Sequence, residues 1–308
     1  MDWKTDLFTN LWIFPRGMDR EGAAGAASLR WKTRYGSVIA SAYEGASTDG
    51  LNEAGLVVNM LWLAESEYPK ADGKTPAIAL SLWAQYYLDQ FATVAEAVAD
   101  ARKNTFSVVT GPVPGQDRLA KVHLSLSDST GDSAIFEYIQ GKLVIHHGRE
   151  FQVMTNSPIY EEQLALAKYW REIGGTVMLP GTNRAADRFV RASYYVNAIP
   201  QTDDARVATA GAFSVIRNTS VPWGISTPDQ PNISSTRWRT VADHKDKIYY
   251  FESAMTPNVF WVDLKKLDFS PGSGTRVLRL GENQNRIYSG EVSAEFVASA
   301  PFSFISLE

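Results

Sequence analysis

Cysteine is absent from these 308 residues. Within them, disulfides, thiolate metal sites and cysteine chemistry are therefore excluded. Histidine is scarce as well. His123, His146, His147 and His244 are the only four, and they form neither HExxH nor another close metal spacing. His146 and His147 are neighbours on an apolar strand, so they point to opposite faces. No metal and no cofactor is expected. No apolar run reaches the ~20 residues needed to cross a bilayer. The net charge is −4 with both signs interspersed, and no basic stripe follows a predicted helix, so nucleic acid is not an expected partner. Met1-Asp2-Trp3-Lys4 lacks the basic-then-apolar pattern of a signal peptide. There is no GxSxG elbow, no phosphate loop ending in Gly-Lys-Ser/Thr, and no GxGxxG after a strand.

What is present is an ordinary globular composition, 44% hydrophobic and 21% charged. A chain of this length can bury roughly three quarters of its unfolded surface. The first third reads as strands at 11–14, 28–31, 37–43 and 56–63, with a turn-rich segment at 49–55. Leu80, Leu82, Trp83, Tyr86, Tyr87 and Phe91 recur at helical spacing and predict a helix over 78–91. Thr93 and Glu96 form a capping box that opens a second helix, running to about Lys103. A meander follows at 122–126, 134–138 and 143–147, and a last strand is expected at 151–154. Helices are predicted over 160–173, 184–197 and 203–217, the first closed by Gly174-Gly175. Strands return at 238–242, 248–252 and 259–264. Tight turns between successive strands exclude strict βαβ winding. The pattern suits an α+β domain spanning 1–308: two stacked sheets with helices outside, or one large antiparallel sheet covered by helices.

Three local segments say more. They are Met1-Asp2-Trp3 with Asn10-Leu11-Trp12-Ile13-Phe14-Pro15-Arg16; Asp49-Gly50-Leu51-Asn52-Glu53-Ala54-Gly55-Leu56 leading to Asn59-Met60-Leu61-Trp62; and Val153-Met154-Thr155-Asn156-Ser157-Pro158. Leu179-Pro180-Gly181, Asp187-Arg188-Phe189-Val190-Arg191 and Ser253-Ala254-Met255 follow in order. Together they closely resemble the choloylglycine hydrolase family, over nearly the whole chain. The Trp-rich wording looks most like the penicillin V acylase branch of Gram-negative bacteria, which also includes acylases of N-acyl homoserine lactones. The resemblance implies a four-layer αββα sandwich of the N-terminal-nucleophile hydrolases. It implies cleavage of a small N-acyl amide by a cysteine that is the first residue of the mature chain. In the family that cysteine lies one strand upstream of the Met-Asp-Trp segment. The expectation is therefore a chain that starts too late, lacks its first strand and is inactive as given.

The resemblance also assigns roles. Asp2 matches the aspartate that holds the nucleophile's amine, Asn156 an oxyanion-hole donor, and Arg188 the active-site arginine. Trp62 falls where other branches carry an Asn or Tyr beside the oxyanion hole, where its N–H can donate and its rings can stack on an acyl group, and Trp3, next to Asp2, is expected to share that pocket. Read without the family, each residue has a plainer account. Asp2 is a terminal surface residue, Asn156 a helix-entry residue, Arg188 part of a solvated charge ladder with Arg184, Asp187 and Arg191, and the tryptophans core. Conjugated bile salt hydrolysis is a second enzymatic reading. A non-catalytic protein that binds acylated small molecules is a third, of another class. A homotetramer and a periplasmic location are implied by the resemblance alone.

Overall fold

The computed structural model describes residues 1–174, 177–225, 234–256, 258–280 and 286–307. In chain order the first strands are β1 (Asp2–Trp3), β2 (Leu11–Phe14), β3 (Asp19–Glu21), β4 (Arg30–Lys32), β5 (Ser37–Ala42) and β6 (Ala46–Asn52). Next come β7 (Val57–Trp62), β8 (Ala77–Ala79), β9 (Ser107–Val109), β10 (Val122–Ser127), β11 (Ser133–Ile139) and β12 (Lys142–His147). The later strands are β13 (Ser235–Thr236), β14 (Trp238–Asp243), β15 (Ile248–Ser253), β16 (Val259–Asp263), β17 (Arg276–Leu278), β18 (Gly290–Glu291) and β19 (Val297–Ala298). The helices are α1 (Trp83–Gln90), α2 (Val94–Ala101), α3 (Tyr160–Ile173), α4 (Ala185–Ala198) and α5 (Ala205–Asn218).

One antiparallel sheet has the order β12-β11-β10-β7-β6-β5-β2-β17-β19. A second runs β14-β15-β16-β18, its last pair parallel. Successive side chains on a strand face opposite ways, and β2 shows the consequence. Its Leu11 and Ile13 pack between the sheets with Tyr249, Phe251, Phe260 and Val262. Its Trp12 and Phe14 face the other way, into a core with Trp83, Tyr87 and Val98 of α1 and α2. A strand buried on both faces reads as an unbroken apolar run, as this one does. On the far side of the second sheet, Phe213 of α5 meets Tyr250 of β15 edge-on, their ring centroids 6.1 Å apart. The layers are thus helix, sheet, sheet, helix, the sandwich expected from the sequence. Helices α3 and α4 close one end, with Tyr160, Ala167, Phe189 and Val190 packed on Ile135 of β11.

Several local expectations shift. The segment 49–55 is not all turn, because Asp49 to Asn52 complete β6 and only the residues after it reverse the chain. Asn52 allows this by accepting from the amides of Ala54, Gly55 and Leu56 through one oxygen. The helix predicted over 78–91 begins as a 3-10 turn at Leu80–Leu82 and becomes α-helical at Trp83, since Ala77 to Ala79 are drawn into parallel pairing with β9. Thr93 does accept from the Glu96 amide, but the Glu96 carboxylate reaches the Ala92 amide instead of that of Thr93. Residues 151–154 pair with no strand. Gly174 ends α3, while Gly175 lies outside the described residues.

Candidate active site

Pairing of β1 with β13 sets Asp2 opposite Thr236. The Thr236 hydroxyl donates to Asp2 Oδ1 at 2.5 Å. The other carboxylate oxygen of Asp2 lies 3.2 Å from an Nη of Arg188. Arg188 sits in the first half of α4, where Phe189 and Val190 turn into the core and carry the guanidinium inward. Its second Nη donates to Asn156 Oδ1 at 2.6 Å, and its Nε donates to the Asn183 carbonyl. The Arg188 and Asp2 side chains keep only 11% and 19% of their surface in solvent. Burial pulls the Arg188 guanidinium below its ordinary value, and the Asp2 carboxylate opposes that pull.

This contact also orients Asn156. A guanidinium can only donate, so the amide oxygen must face it and the amide nitrogen must face away. That nitrogen donates to the Trp62 carbonyl at 2.7 Å. Its second hydrogen meets no acceptor among the described residues and is free for a substrate oxygen. Asn156 does not cap α3. The helix starts after Ile159, which makes no side-chain cap. Instead Gln163, one turn into α3, donates to the Asn156 carbonyl at 2.9 Å.

Asp2, Asn156 and Arg188 therefore line one cavity of about 560 Å³ between the sheets. A smaller, apolar pocket of about 120 Å³ adjoins it, walled by Trp3, Leu7, Tyr43, Met60 and Val122. The two share Met1, Leu61 and Trp62. The indoles of Trp3 and Trp62 stand 5.5 Å apart, tilted by 59°. Trp3 is pinned by a 2.6 Å hydrogen bond from its Nε1 to the Tyr43 hydroxyl. The Arg118 guanidinium lies over both rings, 4.5 Å from Trp62 and 5.4 Å from Trp3. All five residues singled out from the sequence thus line these two adjoining cavities, with Trp62 in the wall of both.

Sequence reasoning missed a fourth polar centre in the same cavity. Asp49 on β6 is buried and accepts from Tyr249 Oη at 2.5 Å, Asn59 Nδ2 at 2.6 Å and Thr240 Oγ1 at 2.9 Å. Burial raises its carboxyl, and these three donors oppose the rise. The one signal in the sequence was Asn59, a lone polar residue in the apolar strand β7, and pairing places it directly opposite Asp49. Among the described residues there is no cluster of three or more His, Asp or Glu fit to hold a metal ion, and no helix long and apolar enough to cross a membrane.

The arrangement can polarise a carbonyl at Asn156, hold a polar group at Asp2 and seat an apolar group beside both. The comparisons with known proteins give the family. Residues 1–277 match the model of the linear amide C–N hydrolases, choloylglycine hydrolase family. The chain is 57% identical to a penicillin V acylase of Pectobacterium atrosepticum, over all of its own length and 87% of that protein's. It superposes on the structure of penicillin V acylase from Agrobacterium tumefaciens with a TM-score of 0.93 and 62% identity, covering 100% of this chain and 94% of that one. A conjugated bile acid hydrolase variant from Clostridium perfringens shares the fold, at a TM-score of 0.76 and 20% identity over 94% of each chain. With its sandwich, its cleft and these relatives, the chain belongs to the choloylglycine hydrolase family of linear amide C–N hydrolases.

Proposed function

We propose that this chain supplies the binding and transition-state groups of an N-acyl amidase acting on penicillin V or N-acyl homoserine lactones, and that a cysteine preceding Met1 supplies the nucleophile. The observation that carries this reading is that the two cavities share Met1, Leu61 and Trp62 as walls: an amide bond placed at Asn156 would put its acyl group beside Trp3 and Trp62. Aromatic walls of this kind bind a flat aryl or an extended alkyl group through area and ring contacts.

In this reading the cysteine thiol gives its proton to its own α-amine, which titrates near ~7.7–8.0 and so can act as a base at neutral pH. The thiolate adds to the amide carbonyl, and the oxygen that becomes negative accepts a hydrogen bond from the free Asn156 N–H. The ammonium then returns the proton to the leaving amine as the C–N bond breaks. Water cleaves the thioester to acid and thiol. Asp2, held by Thr236 and Arg188, orients the amine throughout.

The test compares protein made with its natural upstream codons against residues 1–308 alone. Each is incubated with penicillin V, a long-chain acyl homoserine lactone and glycocholate, and the released amines are measured. Turnover of one of the first two by the longer protein only is the expected result. Turnover by the 308-residue chain would remove the upstream thiol from the account. Cleavage of glycocholate alone would favour the bile salt reading, and binding without turnover by the longer protein the non-catalytic one.

A further inference from the structure

A second polar network lies behind the cleft, on strands the mechanism does not touch. His123 of β10 and Glu137 of β11 are both almost wholly buried, at 2% and 1% exposure. They stand opposite each other, one step beyond the Leu124–Phe136 pair. Leu124 and Phe136 face the α1–α2 core, so alternation turns His123 and Glu137 to the opposite side, toward α3. His123 Nδ1 is 3.0 Å from Glu137 Oε1. Its Nε2 is 2.9 Å from the Thr155 carbonyl oxygen. That carbonyl can only accept, so Nε2 carries a hydrogen and donates it. The second carboxylate oxygen of Glu137 accepts from the Tyr160 amide at 3.1 Å, at the start of α3, where the helix dipole favours negative charge.

The carbonyl that His123 grips belongs to the residue before Asn156. The Thr155 hydroxyl in turn donates to the Ala185 carbonyl at the head of α4. A histidine buried in an apolar face is most often merely satisfied there. This one is fixed to the segment that aims an active-site amide. We propose that His123 is a positioning residue for Asn156, oriented by Glu137, and that the pair sets the register of residues 155–156 against the Trp62 carbonyl and Arg188. The claim about catalysis rests on the reading of Asn156 as the donor that meets the substrate; the claim about the histidine does not. The other groups facing the pair leave it undisturbed. His146 of β12 stays 3.9 Å from Glu137 and is pushed toward its neutral form by burial. Burial likewise pushes the Tyr160 hydroxyl up, so it stays uncharged.

The test uses the protein with its nucleophile and any substrate it cleaves, with active sites counted by thiol titration. His123→Phe is expected to lower kcat per titrated site at least 30-fold with KM within about twofold. Glu137→Gln, a milder change, is expected to lower it about tenfold, also at constant KM. His123→Gln, whose amide can still donate toward Thr155, is expected to recover part of the loss. A purely structural pair would reduce the number of active sites and leave kcat per site within threefold, which would overturn the proposal. A second measurement needs neither catalysis nor a variant that folds. In the unmodified 308-residue chain labelled with 15N-histidine, one ring Nε2 hydrogen should resist exchange for hours and show a nuclear Overhauser contact to the Thr155 α-hydrogen. Absence of that hydrogen would also overturn the proposal. Absence of turnover by the unmodified longer protein would count against the proposed function and leave the histidine measurement to stand alone.

Discussion

Arg188 is the residue on which the site turns, because it answers two partners with different atoms. One Nη faces the Asp2 carboxylate and the other the Asn156 amide oxygen. A lysine carries the same charge but gathers its three donors on one nitrogen, so it cannot hold both partners at the spread a planar guanidinium sets. In the enzyme with its nucleophile, Arg188→Lys is expected to lower kcat/KM by about a hundredfold, read from initial rates. On the proposed function, Asn156→Ala would remove one oxyanion donor, a loss worth ~2.7–4 kcal/mol of transition-state stabilisation. Its kcat should fall about 100- to 1,000-fold with little change in KM, and an unchanged kcat would remove Asn156 from the mechanism. At this scale the sequence was legible only through motif wording. Nothing in spacing alone distinguishes Arg188 from Arg184 or Arg191, which share its helix and its charge. Asp49 stayed hidden because a carboxylate before a glycine reads as a turn, and the donors that make it tolerable as a strand residue come from Tyr249 and Thr240, about 190–200 residues away.

At the scale of elements, the turn between β14 and β15 carries a pH-sensitive contact. His244 there donates from Nδ1 to the Gly55 carbonyl at 2.8 Å, and its Nε2 lies 3.3 Å from the Ser127 hydroxyl. Burial lowers this histidine, outweighing the Gly55 carbonyl and the nearby Asp128 and Asp243 carboxylates. The unfolded chain takes up a proton near pH ~6.5, the folded chain only below that. Stability is then full above that pH and falls as the pH drops through it, because the unfolded state binds more protons. The urea midpoint should decrease between pH 7.5 and 5.5, and less so in His244→Gln. Equal decreases in both would place the acid sensitivity elsewhere. Element boundaries were legible where periodicity and burial agree, as at α3, whose bounds match the expected 160–173. They were not legible where pairing with a distant strand overrides local preference. Ile78 has helical neighbours at the right spacing, yet β9 captures it in a parallel pair that no local pattern announces.

For the molecule as a whole, the alternation of strand and helix segments left two layerings open and the family resemblance chose between them, while the order of strands followed from neither. β17, near the carboxyl end, inserts beside β2 from the first 14 residues. Three residues of ordinary composition carry no mark of so distant a partner. Helix α3 leaves Leu166, Tyr169 and Ile173 exposed at spacings of three and four, one apolar stripe facing solvent. The family resemblance implies a homotetramer, and we propose that this stripe is covered in it. Light scattering is expected to return about four chain masses for the unmodified protein and a smaller assembly for Tyr169→Glu. A monomer in both cases would rule that assembly out.

The tilted pair of indoles has an optical consequence. Two such chromophores 5.5 Å apart share their excited states, and with Trp3 fixed to Tyr43 their relative orientation does not average out. The near-ultraviolet circular dichroism of the chain should contain a split band from this pair, missing in Trp62→Phe. Because both rings line the apolar pocket, anything that binds against them must change the band, so occupancy can be followed by light alone, without a reaction to report it.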